Sequence, residues 1–228
     1  MAVDSTSTPS LPSAAPAAVK FTAEAINRLP IARYTGPVHL AASPAQARIA
    51  LAEISRERVL GFDTETRAAF RKGEHYPPAI VQLAGAEAVW IFRLGALPRL
   101  GGLTGIFINS AIIKAGVAVP YDLRELKKIR KFREAGFAEL EKLSDRAGIA
   151  NNGLRGMAAA VLGIRISKSM KCTNWSRFPL TPEQVSYAAT DAWACREIYL
   201  RLTATVAEIR EEEHEKANVA GGPPADRV

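Results

Sequence analysis

Asp63 and Glu65 stand two residues apart at the end of Val59-Leu60-Gly61-Phe62-Asp63-Thr64-Glu65, an apolar run that turns polar. On a strand, residues i and i+2 leave the same face, so the two carboxylates lie side by side. Like charges that close raise one another's pKa unless a cation sits between them. A hard divalent cation, Mg²⁺ or Mn²⁺, fits such a pair, because it takes oxygen ligands from carboxylates, waters and substrate phosphate. A solvated strand end would relieve the pair without a metal. Tyr187 and Asp191 make a second pairing: as i and i+4 on a helix they share one face, one turn apart. Spacing alone favours a structural Tyr–Asp contact on a core helix. Asp122 opens Asp-Leu-Arg-Glu after Pro120, which fits a capping box, and spacing alone favours the cap.

The elements that must hold these residues are legible in outline. Val38–Ala41 reads as a short strand, and Ser43-Pro44 as the N-cap and N1 of a helix running to about Arg56. Val59–Glu65 reads as a buried strand, and Ala79–Ala84 with Ala88–Phe92 as a hairpin. Ile112–Val119 reads as a strand stopped by Pro120, followed by a helix from about Asp122 to Arg133. Helices are expected around Leu154–Leu162 and from Thr181 to about Ile209, the latter opened by Thr181, Pro182 and Gln184 as N-cap, N1 and capping-box residue. Strands first and helices after predict an α/β fold of three layers around a mixed central sheet.

In this order the motifs resemble the Tyr-containing branch of the DEDD superfamily of 3′–5′ exonucleases, the branch of ribonuclease D and the Werner-syndrome helicase exonuclease domain. The resemblance rests on Phe62-Asp63-Thr64-Glu65-Thr66 with Ile80–Ala84, on Lys114-Ala115-Gly116 with Asp122 and Leu126, and on Tyr187–Ala192 preceded by Asn174-Trp175 and Pro179–Gln184. It covers roughly Leu29 to Leu202. It implies an RNase H-like fold in which Asp63, Glu65, Asp122 and Asp191 bind two divalent cations, Mg²⁺ or Mn²⁺, and Tyr187 positions the attacking water. The implied activity is removal of nucleoside 5′-monophosphates from a single-stranded or frayed 3′ end. A catalytically inactive nucleic-acid-binding module on the same fold is the alternative. Ribonuclease D carries helical domains after its nuclease domain, whereas only a charged tail follows Leu202 here, so grip on substrate is expected from the catalytic domain or a partner.

Net charge alone fits a polyanionic partner and simple solubility equally well. The 228 residues carry 30 Lys and Arg against 23 Asp and Glu, a net charge of +7, and residues 20–202 alone carry +11. Between Asp145 and Glu183 there is no acid but six bases, Arg146, Arg155, Arg165, Lys168, Lys171 and Arg177. Arg155, Lys168 and Lys171 are therefore expected on phosphates, with Trp175 stacking on a base or packed in the core. Thr64, Gln82, Leu83 and Lys114 are further candidates for contact with the nucleic acid, although sheet packing accounts for Gln82 and Leu83 equally well. Lys127–Lys131 reads as a solvated helix face.

Composition narrows the remaining classes. No apolar run approaches the roughly 20 residues of a membrane span. The start lacks the basic and apolar regions of a secretory signal and the Arg of a mitochondrial presequence. Cys172 and Cys195 have no CxxC spacing, so a soluble protein in the reducing cytoplasm is expected. Residues 1–19, rich in Ser, Thr, Pro and Ala, read as a flexible arm, residues 20–209 as the nuclease domain, and residues 210–228 as a charged, flexible tail.

Overall fold

Six strands and seven α-helices build the computed structural model, which describes residues 20–170 and 172–220. The expected arm (residues 1–19), Lys171 and residues 221–228 lie outside the described residues. The strands are β1 (Val38–Ala41), β2 (Val59–Thr66), β3 (Pro78–Ala84), β4 (Val89–Arg93), β5 (Ile113–Gly116) and β6 (Phe137–Glu139). They form one mixed sheet in the order β1-β4-β3-β2-β5-β6, with β2–β3 and β3–β4 antiparallel and the other pairs parallel. The helices are α1 (Ala23–Arg28), α2 (Pro44–Ile54), α3 (Leu103–Phe107), α4 (Val119–Ile129), α5 (Leu140–Arg146), α6 (Leu154–Leu162) and α7 (Pro182–Ala220).

Alternation along the strands sorts the core into two faces. Leu60, Phe62, Val81 and Leu83 pack against α2, α3 and α4 on one side. Ile80, Ala84 and Ile91 meet Ala188, Ala189 and Ala192 of α7 on the other, and α5 and α6 extend that layer around Ala115 and Ile198. These are the three layers expected from the order of elements. Gly61 sets the height of α7 above the sheet: a Cβ there would stand 1.8 Å from the Ala192 carbonyl oxygen. Only glycine lets the helix backbone come that close to β2.

Helix starts follow local chemistry where the cap is local. The Ser43 hydroxyl accepts from the Gln46 N–H at 3.3 Å and opens α2. At α7, Gln184 N–H donates to the Thr181 hydroxyl at 3.2 Å while Thr181 N–H donates to Gln184 Oε1 at 3.0 Å, a complete capping box. The start of α4 differs from expectation. The helix begins at Val119, not Asp122, after Ala118 in a left-handed turn (φ 56°). Its first amides, of Ala118 and Val119, donate at 3.1 and 2.8 Å to the two carboxylate oxygens of Glu139 from β6. Asp122 is thus in the first turn rather than at the cap. At its other end α4 stops at Ile129, and the expected solvated face carries ion pairs of Lys127 with Glu134 and Lys128 with Glu125.

The N-terminal segment is stitched into the domain. Asn151 Oδ1 and Nδ2 pair with the backbone of Phe21, and Ile31 bridges Arg165 in parallel. Tyr34 N–H donates to the Thr190 hydroxyl at 3.0 Å, one residue from Asp191. At the other end, α7 continues past the expected Ile209 to Ala220. No helix among the described residues is long and apolar enough to cross a membrane.

Candidate active site

β2 and α7 bring three carboxylates together. Asp63 and Glu65 leave the face of β2 that α7 crosses, and Asp191 descends from α7, so that ligand oxygens of all three lie within 4.8 Å of one another. Asp191 is 7% and Glu65 9% exposed. The register of β2 against β3 shifts between Glu65 and Thr66, an irregularity of the kind that ends pairing and re-aims side chains beside active sites.

Asp122 reaches the cluster from the opposite face of β2. Thr64 points to that face, and its hydroxyl donates to Asp122 Oδ1 at 2.8 Å. The fourth acid therefore joins the site through Thr64 and does not share the tight grouping of the other three. Its cap-like spacing has a different meaning: Glu139 holds the helix start, which leaves the Asp122 carboxylate for Thr64.

Electrostatics set the character of the site. Burial, and then the carboxylates of Asp191, Glu65 and Asp122, hold Asp63 well above the usual carboxylate range. Burial pushes Asp122 up to about 7, against the Thr64 hydrogen bond that favours its charged form. Tyr187, hydrogen-bonded to Asp191, is raised first by burial and then by the charge of Asp191 and Glu65. Cys195, one turn beyond Asp191, is a buried thiol pushed up by burial and by the same acids, which removes it as a nucleophile. A group of buried like charges with raised pKa values fits a hard cation, whose charge relieves both burdens.

Several residues expected on the nucleic acid are turned inward. Leu83 is fully buried in the core beneath α4. Gln82 faces the other way, paired with Asp63 across the β2–β3 ladder, and is also fully buried, its amide without a protein partner among the described residues. Trp175 is 1% exposed and packs on Tyr187, ring centroids 6.0 Å apart. The Lys114 ammonium donates to the carbonyls of Asn109, Ile112 and Ala135 at 2.7, 2.7 and 2.6 Å and lies 5.0 Å from the Phe137 ring centroid. Leu83, Gln82 and Trp175 thus take the packing alternative, and Lys114 is corrected to a structural role, because a side chain sealed in the core cannot reach a phosphate or a base. Arg155 is half-buried and donates to Asn27. Lys168 is exposed, and Lys171 lies outside the described residues.

Two supporting residues escaped the sequence reading. Glu139 caps α4 from twenty residues away, which no local pattern reveals. Gly61 was legible only as part of a strand, although an isolated glycine in an apolar strand is itself a signal of close backbone approach.

A mixed sheet whose central strand and crossing helix gather carboxylates defines the class: an RNase H-like nuclease fold. Solved structures agree. The exonuclease domain of Aedes aegypti Nibbler superposes with a TM-score of 0.69 at 23% identity, covering 76% of this chain and 90% of that one. Escherichia coli RNase D gives 0.67 at 19% identity, over 78% of this chain and 49% of that one. The particular family follows from sequence. The 3′–5′ exonuclease family profile matches residues 38–207, and the chain belongs to that family. The bifunctional 3′–5′ exonuclease/ATP-dependent helicase WRN of Mus musculus is 34% identical over 156 residues, 63% of this chain but 11% of that protein.

Proposed function

We propose that residues 20–209 form a metal-dependent 3′–5′ exonuclease that hydrolyses the terminal phosphodiester of single-stranded or frayed nucleic acid and releases nucleoside 5′-monophosphates. The observation that carries this reading is the convergence of Asp63, Glu65 and Asp191 within 4.8 Å in a member of the 3′–5′ exonuclease family.

Asp63, Glu65 and Asp191 would hold the divalent cations, with Asp122 completing the site from the Thr64 side. When bound, two such cations supply the positive charge that stabilises the attacking and leaving oxygens of an in-line phosphoryl displacement. The Tyr187 hydroxyl donates a hydrogen bond to Asp191, and its oxygen keeps lone pairs to accept from a water. That oxygen orients a water whose own oxygen attacks phosphorus as the bond to the leaving 3′ oxygen breaks. Because burial and neighbouring acids hold the phenol protonated, its part is alignment before proton acceptance. Lys168, exposed in the connection between α6 and α7, is free to meet phosphates.

The test is a set of 5′-labelled DNA and RNA strands, single-stranded and recessed, incubated with Mg²⁺, Mn²⁺ or chelator. A ladder shrinking from the 3′ end, absent in chelator and with Asp63→Ala, is expected. Undiminished degradation by Asp63→Ala would overturn the site, and binding without nucleotide release in Mn²⁺ would favour an inactive module.

A further inference from the structure

Beyond the carboxylates, β2 delivers a second feature within a few residues. The loop between β2 and β3 carries Arg67, Phe70, Arg71 and Lys72, all exposed, against the single acid Glu74. Phe70 is 81% exposed, more than any other large apolar side chain among the described residues. The other two exposed aromatics are covered by cations, Tyr121 by Arg124 at 4.9 Å and Phe178 by Arg93 at 4.4 Å. Phe70 has no ring or cation over it among the described residues.

The loop is built rather than slack. Arg71 carbonyl accepts from Glu74 N–H at 3.2 Å across a turn with Gly73 at φ 88°. Glu74 in turn accepts from Phe70 N–H at 3.2 Å, so the one acid is spent on the backbone and holds Phe70 at the tip. At the base, the Arg67 guanidinium stacks 4.6 Å from the Tyr76 ring centroid. Phe70 is five residues beyond Glu65, which keeps their Cα atoms within about 18 Å by chain length alone.

An exposed aromatic held between cations, beside a polyanion-cleaving site, is the combination that binds single strands: the ring stacks on a base and the cations track the backbone. We infer that the β2–β3 loop is a single-strand grip, with Phe70 stacking on a nucleobase of the strand entering the site and Arg71 and Lys72 contacting its phosphates. The choice of partner rests on the nuclease reading; the grip itself is testable without catalysis.

The experiment measures anisotropy of 5′-fluorescein oligo(dT) and oligo(U) titrated with the full chain in chelator, where no strand is cut. Phe70→Ala is expected to weaken binding about 10-fold on both strands, and Phe70→Tyr to keep wild-type affinity. Arg71→Ala with Lys72→Ala should flatten the dependence of log affinity on log salt by about 1.4, two phosphate contacts' worth on a single strand. Ile49→Ala, 64% exposed on α2, is the control and should change nothing. Wild-type affinity in Phe70→Ala, or no binding by the unmodified chain, overturns the grip. Nucleotide release in Mn²⁺, scored separately, tests the nuclease reading: release with an indifferent Phe70 keeps the enzyme and discards the grip, and binding through Phe70 without release does the reverse.

Discussion

Each polar side chain around the carboxylates has a distinct duty, and single substitutions separate them. Asp63→Ala and Asp191→Asn remove a carboxylate proposed to hold a cation and are expected to lower the single-turnover rate by on the order of 10³. Tyr187→Phe keeps the packing on Trp175 but deletes the hydroxyl, and kcat should fall about 10²-fold with KM little changed. Thr64→Val leaves Asp122 without its donor, which is expected to cost 10- to 100-fold in Mn²⁺ affinity or rate, as losses of outer hydrogen bonds to ligands generally do. Burial makes the site sensitive to pH as well. Asp122 is held near 7 when folded and titrates near 3.8 when free, so the folded chain binds the extra proton between those values. Its contribution to stability is complete below about pH 4 and lost as pH rises through 7. In chelator the melting temperature should therefore fall from pH 5 to pH 8. Added Mn²⁺ should raise it more at pH 8 than at pH 5, and Asp122→Asn should flatten the slope. A metal-free melting temperature that climbs over this interval would contradict the assignment.

At the scale of elements, the site exists because β2 and α7 touch and because α4 starts where Glu139 lets it. Gly61→Ala places a methyl against the Ala192 carbonyl, an overlap no rotamer relieves, and should cost about 3 kcal/mol and lower the melting temperature by roughly 10 °C. Glu139→Ala frees two amides at the start of α4, for about 1 kcal/mol and a melting temperature lower by roughly 3 °C, and should reduce activity further because α4 carries Asp122. These elements also mark what local sequence discloses. β2, β3, β4 and α7 were legible because apolar runs and a capping box are local signals. β6 was not, since Phe137–Glu139 is three half-buried residues defined only by pairing with β5. Asp122 looked like a cap for the same reason: the residue that does the capping is remote. Lys114 stood among the candidates for nucleic-acid contact, whereas its place inside the apolar run Ile112–Val119 pointed inward, to the three carbonyls it holds.

Across the whole molecule, charge and architecture divide the labour. The three carboxylates sit together at β2 and α7, while exposed cations of the β2–β3 loop and Lys168 lie outside the core. Binding of a single strand in chelator should weaken as salt rises, and an affinity indifferent to salt would argue against a phosphate-tracking surface. The family match begins at Val38, yet the hydrogen bond from Tyr34 to Thr190 lies upstream of it. Thr190 spends its own proton on the Ser186 carbonyl at 2.6 Å and takes the Tyr34 amide on its free lone pair. A shortened chain beginning at Val38 would keep every motif of the family and lose the strap that lies across α7 beside Asp191. The folded unit is thus longer than the stretch that the family match covers.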